Sequence, residues 1–508
     1  MGPEIRAVGR RLVVCLAVAL VTPACALNQE GVQPPRDDIF FPSGAMVDRT
    51  GQWLYVANSN SNLRFNNGTL SLLNLDAAGA DRAKASTWLD CPELNYIRPS
   101  DAPASTPMCC WDVLDRHVLN CESRQYVDKN ATVRLGSFAA GMEFNPGCAE
   151  EDDTAATPCD GRLFVAVRGN SSITYVDVKV GADNTRQLDC SDGGPGTFAE
   201  CDDNHRIAQR PAPDDATGKP VALPDAAKVI LPEEPYALAR DVQPDPTAPK
   251  DPSKGLARLL VGHLRGGAIS LIDINLPTPR LIGYYGAVVP ADTNGLRGIT
   301  SLLRTGPGVF YAGSRYVPRV SGVQTTGGAG TDKPQAESLD NIAVVGNGLQ
   351  YISGLPGSEA RGIQFIDPID GDPAPQPGLA FTLVRVPPAL MKFEVVNQPP
   401  VDVLETCNSP TFLYKHGDGI NTRLYVNCFE DGEVYVFDPR VPRLVDIIEV
   451  GRGPAGLAFP PTGATGYGKL MYVIGFGANN ISVVDIEPGS ETENHVVQRI
   501  GFPSAVPR

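Results

Sequence analysis

Arginine is the residue type in this sequence whose placement suggests chemistry. Arg168, Arg265 and Arg315 each stand just past a short apolar run, and Arg297 and Arg361 open two copies of the tripeptide Arg-Gly-Ile. A guanidinium presents a planar fork of donors, so several on one surface could hold a carboxylate, a phosphate or a sulfated sugar by charge-assisted hydrogen bonds. The competing reading, that each pairs with an Asp or Glu of a neighbouring unit, is favoured at this stage. Other chemistry is sparse. The five histidines, His117, His205, His263, His416 and His495, fall in five separate segments. The acidic turns HGDG (416–419), FEDGE (429–433) and EEDDT (150–154) could take calcium, but they lack the regular spacing of a calcium loop, so solvated turns are expected. No nucleophile elbow, phosphate loop or dinucleotide fingerprint is present, so no catalytic residue, cofactor or metal site is assigned.

The elements that must position these arginines are short β-runs. A first type is Trp53-Leu54-Tyr55-Val56, matched at 162–165, 258–261, 309–312, 423–426 and 470–473. A second type follows a polar turn and often ends in Asp, as in 69–76, 173–178, 268–274, 433–438 and 481–486. A degenerate further unit spans Arg361 to Thr406, with LAFTLVRV and LMKFEVV as its central strands. Period-two alternation repeated at tens of residues, with no long helical pattern, predicts a radial all-β array. The 52 Gly and 46 Pro among 508 residues suit a chain with many turns. A net charge of −15 argues against a nucleic-acid or anionic-lipid surface, both of which need basic residues.

The amino terminus reads as an export signal, residues 1–24. Arg6, Arg10 and Arg11 precede the apolar stretch Leu12 to Val21, which is too short to span a bilayer. Two cleavage sites compete. Ala24-Cys25-Ala26 fits ordinary secretion, whereas Thr22-Pro23-Ala24-Cys25 resembles a lipobox that would lipidate Cys25. The lipoprotein reading is favoured, with 25–39 as a tether and 40–508 as the folded domain. Ala26 lacks the Asp that signals inner-membrane retention in lipoproteins it resembles, which implies outer-membrane anchoring facing the periplasm or the cell surface.

Ten cysteines remain beyond Cys15 and Cys25: Cys91, Cys109, Cys110, Cys121, Cys148, Cys159, Cys190, Cys201, Cys407 and Cys428. There is no CxxC pair, so disulfides are expected over metal ligation. The expected pairs are Cys148–Cys159, Cys190–Cys201 and Cys407–Cys428. The other four are expected to pair inside the excursion 77–133, with their connectivity open. Two more long excursions run from about 181 to 226 and from 316 to 340.

The LYVAN, RLYVN and LMYVIG runs, with the start Val450-Gly451-Arg452-Gly453-Pro454, resemble the YVTN family of β-propeller repeats. The resemblance implies four-stranded blades around a channel, and the units number seven. A Cys-terminated leader ahead of such repeats resembles uncharacterised bacterial envelope lipoproteins. Arg499-Ile500-Gly501-Phe502-Pro503-Ser504 restates Phe40-Phe41-Pro42-Ser43, so the ring is expected to close there, leaving the 77–133 excursion on the rim. In such a ring Arg168, His263, Arg265, Arg297, Arg315 and Arg361 map to one channel mouth. Two function classes follow. The first is a non-enzymatic binding or scaffolding module, monomeric, for an envelope protein, peptide or anionic glycan. The second is an enzyme of the lactonase or quinoprotein type. Three Trp are too few for quinoprotein docking repeats, and arginine rather than acid or histidine dominates the mouth, so binding is the expected function.

Overall fold

A computed structural model describes residues 32–93, 108–149, 152–154, 156–191, 199–208, 230–243, 256–275, 277–317, 319–325, 342–344, 349–350, 359–366, 379–393, 401–461 and 469–501. The export signal, Cys25, residues 502–508 and most of the second and third excursions lie outside these. No helix among the described residues is long and apolar enough to cross a membrane.

Seven sheets follow one another along the chain, each with four antiparallel positions ordered from an inner to an outer strand. The innermost strands are Pro42–Val47, Ala139–Pro146, Pro235–Gln243, Ile299–Gly306, Ala360–Ile366, Pro410–His416 and Pro454–Ala458. The second strands are the expected aromatic runs. They are wholly buried in blades 1 and 7, at Trp53–Asn58 and Leu470–Gly475, because a packed neighbour covers each face. The degenerate unit is blade 5, with Leu379–Val384 and Ala389–Phe393 as its central strands, as expected. The outer edges of blades 2 and 4 are each built from two short pieces pairing with one long third strand.

The core is divided among the seams between blades. Phe164, Val261 and Ile272 seal blades 2 and 3, and Leu260, Phe310 and Val323 seal blades 3 and 4. Equivalent clusters fill the other seams, including that between blades 7 and 1, where Leu54 and Val56 meet Tyr472 and Ile474. The chain is thus a closed seven-bladed β-propeller.

Every inner strand carries a register shift near its start, at Pro42/Gly44, Ala139/Met142, Pro235/Ala237, Ile299/Ser301, Ala360/Gly362, Pro410/Leu413 and Pro454/Gly456. Such bulges re-aim one side chain each. Adjacent inner strands pack so closely there that a Cβ on Gly44 would lie 2.4 Å from the Ala140 carbonyl oxygen. One on Gly141 would lie 2.5 Å from that of Tyr236. Small residues at these positions are therefore a packing requirement.

The excursion after the third strand of blade 1 does more than decorate the rim. It forms the helix Leu75–Ala83, capped by the Asn74 side chain, and then the strands Cys109–Trp111 and Leu119–Cys121. Leu119–Cys121 pairs in parallel with the outer strand of blade 7, Gln498 opposite Leu119 and Ile500 opposite Cys121. The Gly501 N–H donates to the Cys121 carbonyl at 2.9 Å. A segment of blade 1 therefore extends the sheet of blade 7. The expected meeting of 40–46 with 499–506 is corrected in part: the Phe41 N–H donates to Asn479 Oδ1 at 2.7 Å, while Arg499 and Ile500 pair with Asn120 and Cys121, and residues 502–506 lie outside the described residues. Cysteine pairing is Cys91–Cys110, Cys109–Cys121, Cys148–Cys159, Cys190–Cys201 and Cys407–Cys428, which fixes the connectivity left open in the excursion.

Candidate functional site

The inner strands enclose a channel of about 300 Å³ lined by residues of all seven blades. Most of its lining near the bulges is small: Ser43, Gly44, Ala140, Gly141, Ala237, Ser301, Gly362, Ala455 and Gly456. Three residues break that pattern. Tyr236 of blade 3, Arg361 of blade 5 and Phe412 of blade 6 are large where their counterparts are small, and the fold brings them together. The Tyr236 and Phe412 rings face each other across the channel, near parallel at 16°, with centroids 6.2 Å apart. They form an aromatic floor.

Guanidinium groups surround this floor. Burial raises the Tyr236 hydroxyl pKa, against the opposing pull of Arg361, Arg168, Arg315 and Arg385, so the phenol stays protonated and can donate. These four arginines share two carboxylates. Arg168 and Arg315 approach Glu234 at 3.8 and 3.6 Å, and Arg361 and Arg385 both pair with Glu359, the latter at 3.4 Å. The expected pairing with neighbouring acids therefore exists, and among the described residues these four guanidiniums have two carboxylates as ion-pair partners. The Nε atoms of Arg168, Arg297 and Arg361 are buried without a hydrogen-bond partner among the described residues. Burial lowers the pKa of Arg361, opposed chiefly by Glu359. Arg385 further donates to Ser409 Oγ at 3.3 Å, and Ser409 donates to Glu430 at 2.6 Å.

The other residues expected at the mouth are arranged differently. Arg265 pairs with Glu233 at 2.5 Å, and both side chains are largely exposed, an arrangement worth little. Arg297 makes no ion pair among the described residues, and it opens blade 4 beside the glycine turn at Gly267. His263 is fully buried, with Nε2 2.8 Å from Ser270 Oγ and Nδ1 3.2 Å from the Glu233 carbonyl oxygen. Burial pushes its pKa down to about 4, so it is a neutral wall residue turned away from the mouth.

Arg385, Tyr236 and Phe412 were missed in the sequence. Arg385 sits at the end of a strand in the degenerate unit, where repeat position is hard to read. Tyr236 and Phe412 were signalled by bulk at positions otherwise small, a pattern visible only once the inner strands are aligned.

The acidic turns are engaged locally. Asp431 accepts from the backbone N–H and side-chain amide of Asn408, and Glu430 accepts from Ser409. Asp153 accepts from the Cys159 N–H and lies beside Cys148 and Cys159, whose sulfurs are bonded to each other; Glu150 and Glu151 lie outside the described residues. A second cavity of about 360 Å³ lies at the opposite end, between blades 1 and 2. Its Arg186 and Asp48 form a buried pair at 2.6 Å, and Arg49 donates to the Asp153 carbonyl, so these lining charges already have partners.

No family model matches the chain, and no curated protein matches it in sequence. Among solved structures it is similar to Raptor of Chaetomium thermophilum, at 11% identity and TM-score 0.42; the match covers 89% of this chain but only 28% of Raptor. It is also similar to a Bacteroides uniformis protein proposed to be a 6-phosphogluconolactonase, at 11% identity and TM-score 0.43, covering 92% of this chain and 98% of that one. The third is apo AztD of Citrobacter koseri, at 12% identity and TM-score 0.37, covering 81% and 87%. Likeness this distant transfers neither ligand nor activity. The seven sheets themselves make the chain a β-propeller, with an arginine-ringed aromatic floor in its channel.

Proposed function

We propose that this protein is an exported, non-enzymatic binding propeller that holds an anionic partner at the arginine-ringed mouth. One observation carries this: four guanidiniums act on Tyr236 and, among the described residues, share two carboxylates as ion-pair partners. An anion placed there would complete the charge balance and accept from the phenol. The acidic character of the whole chain, −15, makes such a local positive field selective rather than general. Five disulfides favour an oxidising compartment. With the leader ending at Cys25 and repeats resembling the YVTN family, the reading is a lipid-anchored envelope protein facing the periplasm or cell surface. An enzyme of the lactonase type would want an accessible acid or histidine, but His263 is buried against Ser270 and the acids Glu234 and Glu359 are engaged by arginines.

The test uses a fluorescent polyglutamate peptide and the paired change Arg168→Gln with Arg315→Gln. Charge-assisted hydrogen bonds contribute roughly 1.5–3 kcal/mol each, so binding should weaken by well over tenfold while the melting temperature holds. A wild type that ignores the peptide sinks the proposal. A variant that melts far lower would make these arginines structural partners of Glu234 instead.

A further inference from the structure

The same face has a second half. Arg168, Arg315, Arg361 and Arg385 belong to blades 2, 4 and 5. The corresponding loops of blades 6, 7 and 1 carry phenylalanines. Phe429 follows the second strand of blade 6, Phe476 follows that of blade 7, and Phe41 leads into the inner strand of blade 1. Their rings form a continuous arc, with Phe429 and Phe476 centroids 6.1 Å apart and Phe476 and Phe41 5.5 Å apart. All three are half-buried. Phe138, at the entry to blade 2, is half-buried too and sits where the arc meets Arg168.

From this juxtaposition, and resting on the anion reading above, we infer that the partner is a protein segment that mixes carboxylates with apolar side chains. Carboxylates complement the guanidinium half, and apolar side chains cover the phenylalanine half. Phenylalanine and arginine are the residue types that protein interfaces concentrate. A glycan fits less well. Sugar hydroxyls need acceptors as well as donors, and Glu234 and Glu359 are each already engaged by two arginines. A glycan would also leave the phenylalanine arc exposed to water.

Three probes of equal charge and length separate the possibilities on the unmodified full chain: a Glu-Gly repeat peptide, a Glu-Leu repeat peptide, and an oligogalacturonate. The Glu-Leu peptide should bind roughly tenfold or more tighter than the Glu-Gly peptide, because it alone buries apolar surface on the arc. Phe429→Ala should erase that difference while leaving Glu-Gly binding unchanged, which shows that the variant is folded. Equal affinity for the two peptides overturns the inference but leaves the anion site standing. So does an oligogalacturonate that binds tightest. Absence of binding by all three overturns both.

Discussion

The seam between blades 1 and 2 and the seam between blades 7 and 1 solve one problem by different means. Blades 1 and 2 are consecutive, so the chain itself tethers them. Their seam is reinforced by a buried ion pair, Arg186 to Asp48 at 2.6 Å, and by Trp53 Nε1 donating to the Asn184 carbonyl. Blades 7 and 1 lie at opposite ends of the folded sequence and have no such tether. Their seam is covered by the excursion from blade 1, which lends a strand to blade 7 and is cross-linked by Cys91–Cys110 and Cys109–Cys121. Where sequence neighbours meet, a polar clasp suffices. Where they do not, the fold pairs the outer edge of blade 7, which would otherwise invite association, and restrains the covering segment covalently.

The largest effect should come from breaking the clasp. Asp48 is almost fully buried; burial raises its pKa, countered first by Arg186. Arg186→Met leaves a buried carboxylate without its counter-ion, a change that typically costs about 3–5 kcal/mol. A carboxyl with a raised native pKa holds its proton more tightly folded than unfolded, so stability falls as pH rises through that range. The loss should therefore be larger at about pH 7.5 than at about pH 5, where Asp48 can neutralise. Urea midpoints at both pH values decide this. An identical loss at both would show that Asp48 carries no uncompensated charge.

A smaller effect sharpens the comparison from the other side. Cys109 and Cys121 are fully buried in the closing seam, whereas Cys148 and Cys159 link a loop of blade 2. The sequence separations are 12 and 11, so chain entropy predicts nearly equal losses, about 2–4 kcal/mol, for either pair changed to serine. The closing pair should cost toward the top of that range, because it restrains the strand that pairs with blade 7, even though Tyr126, Gln125 and Gln498 stand within hydrogen-bond reach of its sulfurs. It should also expose an edge and produce concentration-dependent association in sedimentation. Equal midpoints and a monomeric double variant would mean that the covering segment holds without its cross-link.

What could be read from the sequence follows the same division. Second and third strands were legible because burial on both faces writes a run such as Trp53 to Val56 in apolar residues. Even the degenerate blade 5 was found through Leu379–Val384. The third strand of blade 4, Arg319–Thr325, was not, since RVSGVQT has too few apolar residues to mark it. The pairing of Leu119–Cys121 with blade 7 could not be read at all. Three residues have no periodicity, and their partner lies more than 370 positions away, at Gln498 to Ile500. Repeat position nominated Arg168, Arg315 and Arg361, which share Glu234 and Glu359, and equally the buried His263 and the exposed Arg265, because position along a strand does not say whether a side chain turns into the wall or out to solvent.

The smallest effect concerns the polar contacts that hold the covering segment to blade 7. Asp112 accepts from Asn120 Nδ2 at 2.9 Å and from Arg499 Nη1 at 3.1 Å. Burial raises the Asp112 pKa, but the bonds from Asn120, from the backbone N–H groups of Leu114 and Asp115, and the charge of Arg499 outweigh it and hold it below the usual 3.8. A carboxyl with a depressed native pKa contributes stability above its unfolded value and loses it as pH falls through the folded one. The seam should therefore loosen below about pH 4, the ordinary carboxylate range, whereas the clasp at Asp48, whose pKa is raised, gives the opposite sign. The pair keeps some solvent contact, and Arg499→Met should cost about 1 kcal/mol. Asp112→Asn should lower the neutral plateau by that small contribution and flatten the acid limb. Hydrogen exchange at Leu119 to Cys121 across an acid titration measures it directly. Faster exchange in acid for the wild type, absent in Asp112→Asn, would tie the closing seam to this carboxylate. An unchanged acid response in the variant would show that a group other than Asp112 governs the seam in acid, leaving pH-independent bonds such as Arg82 to Gln498 Oε1, 2.7 Å, to hold it at neutral pH.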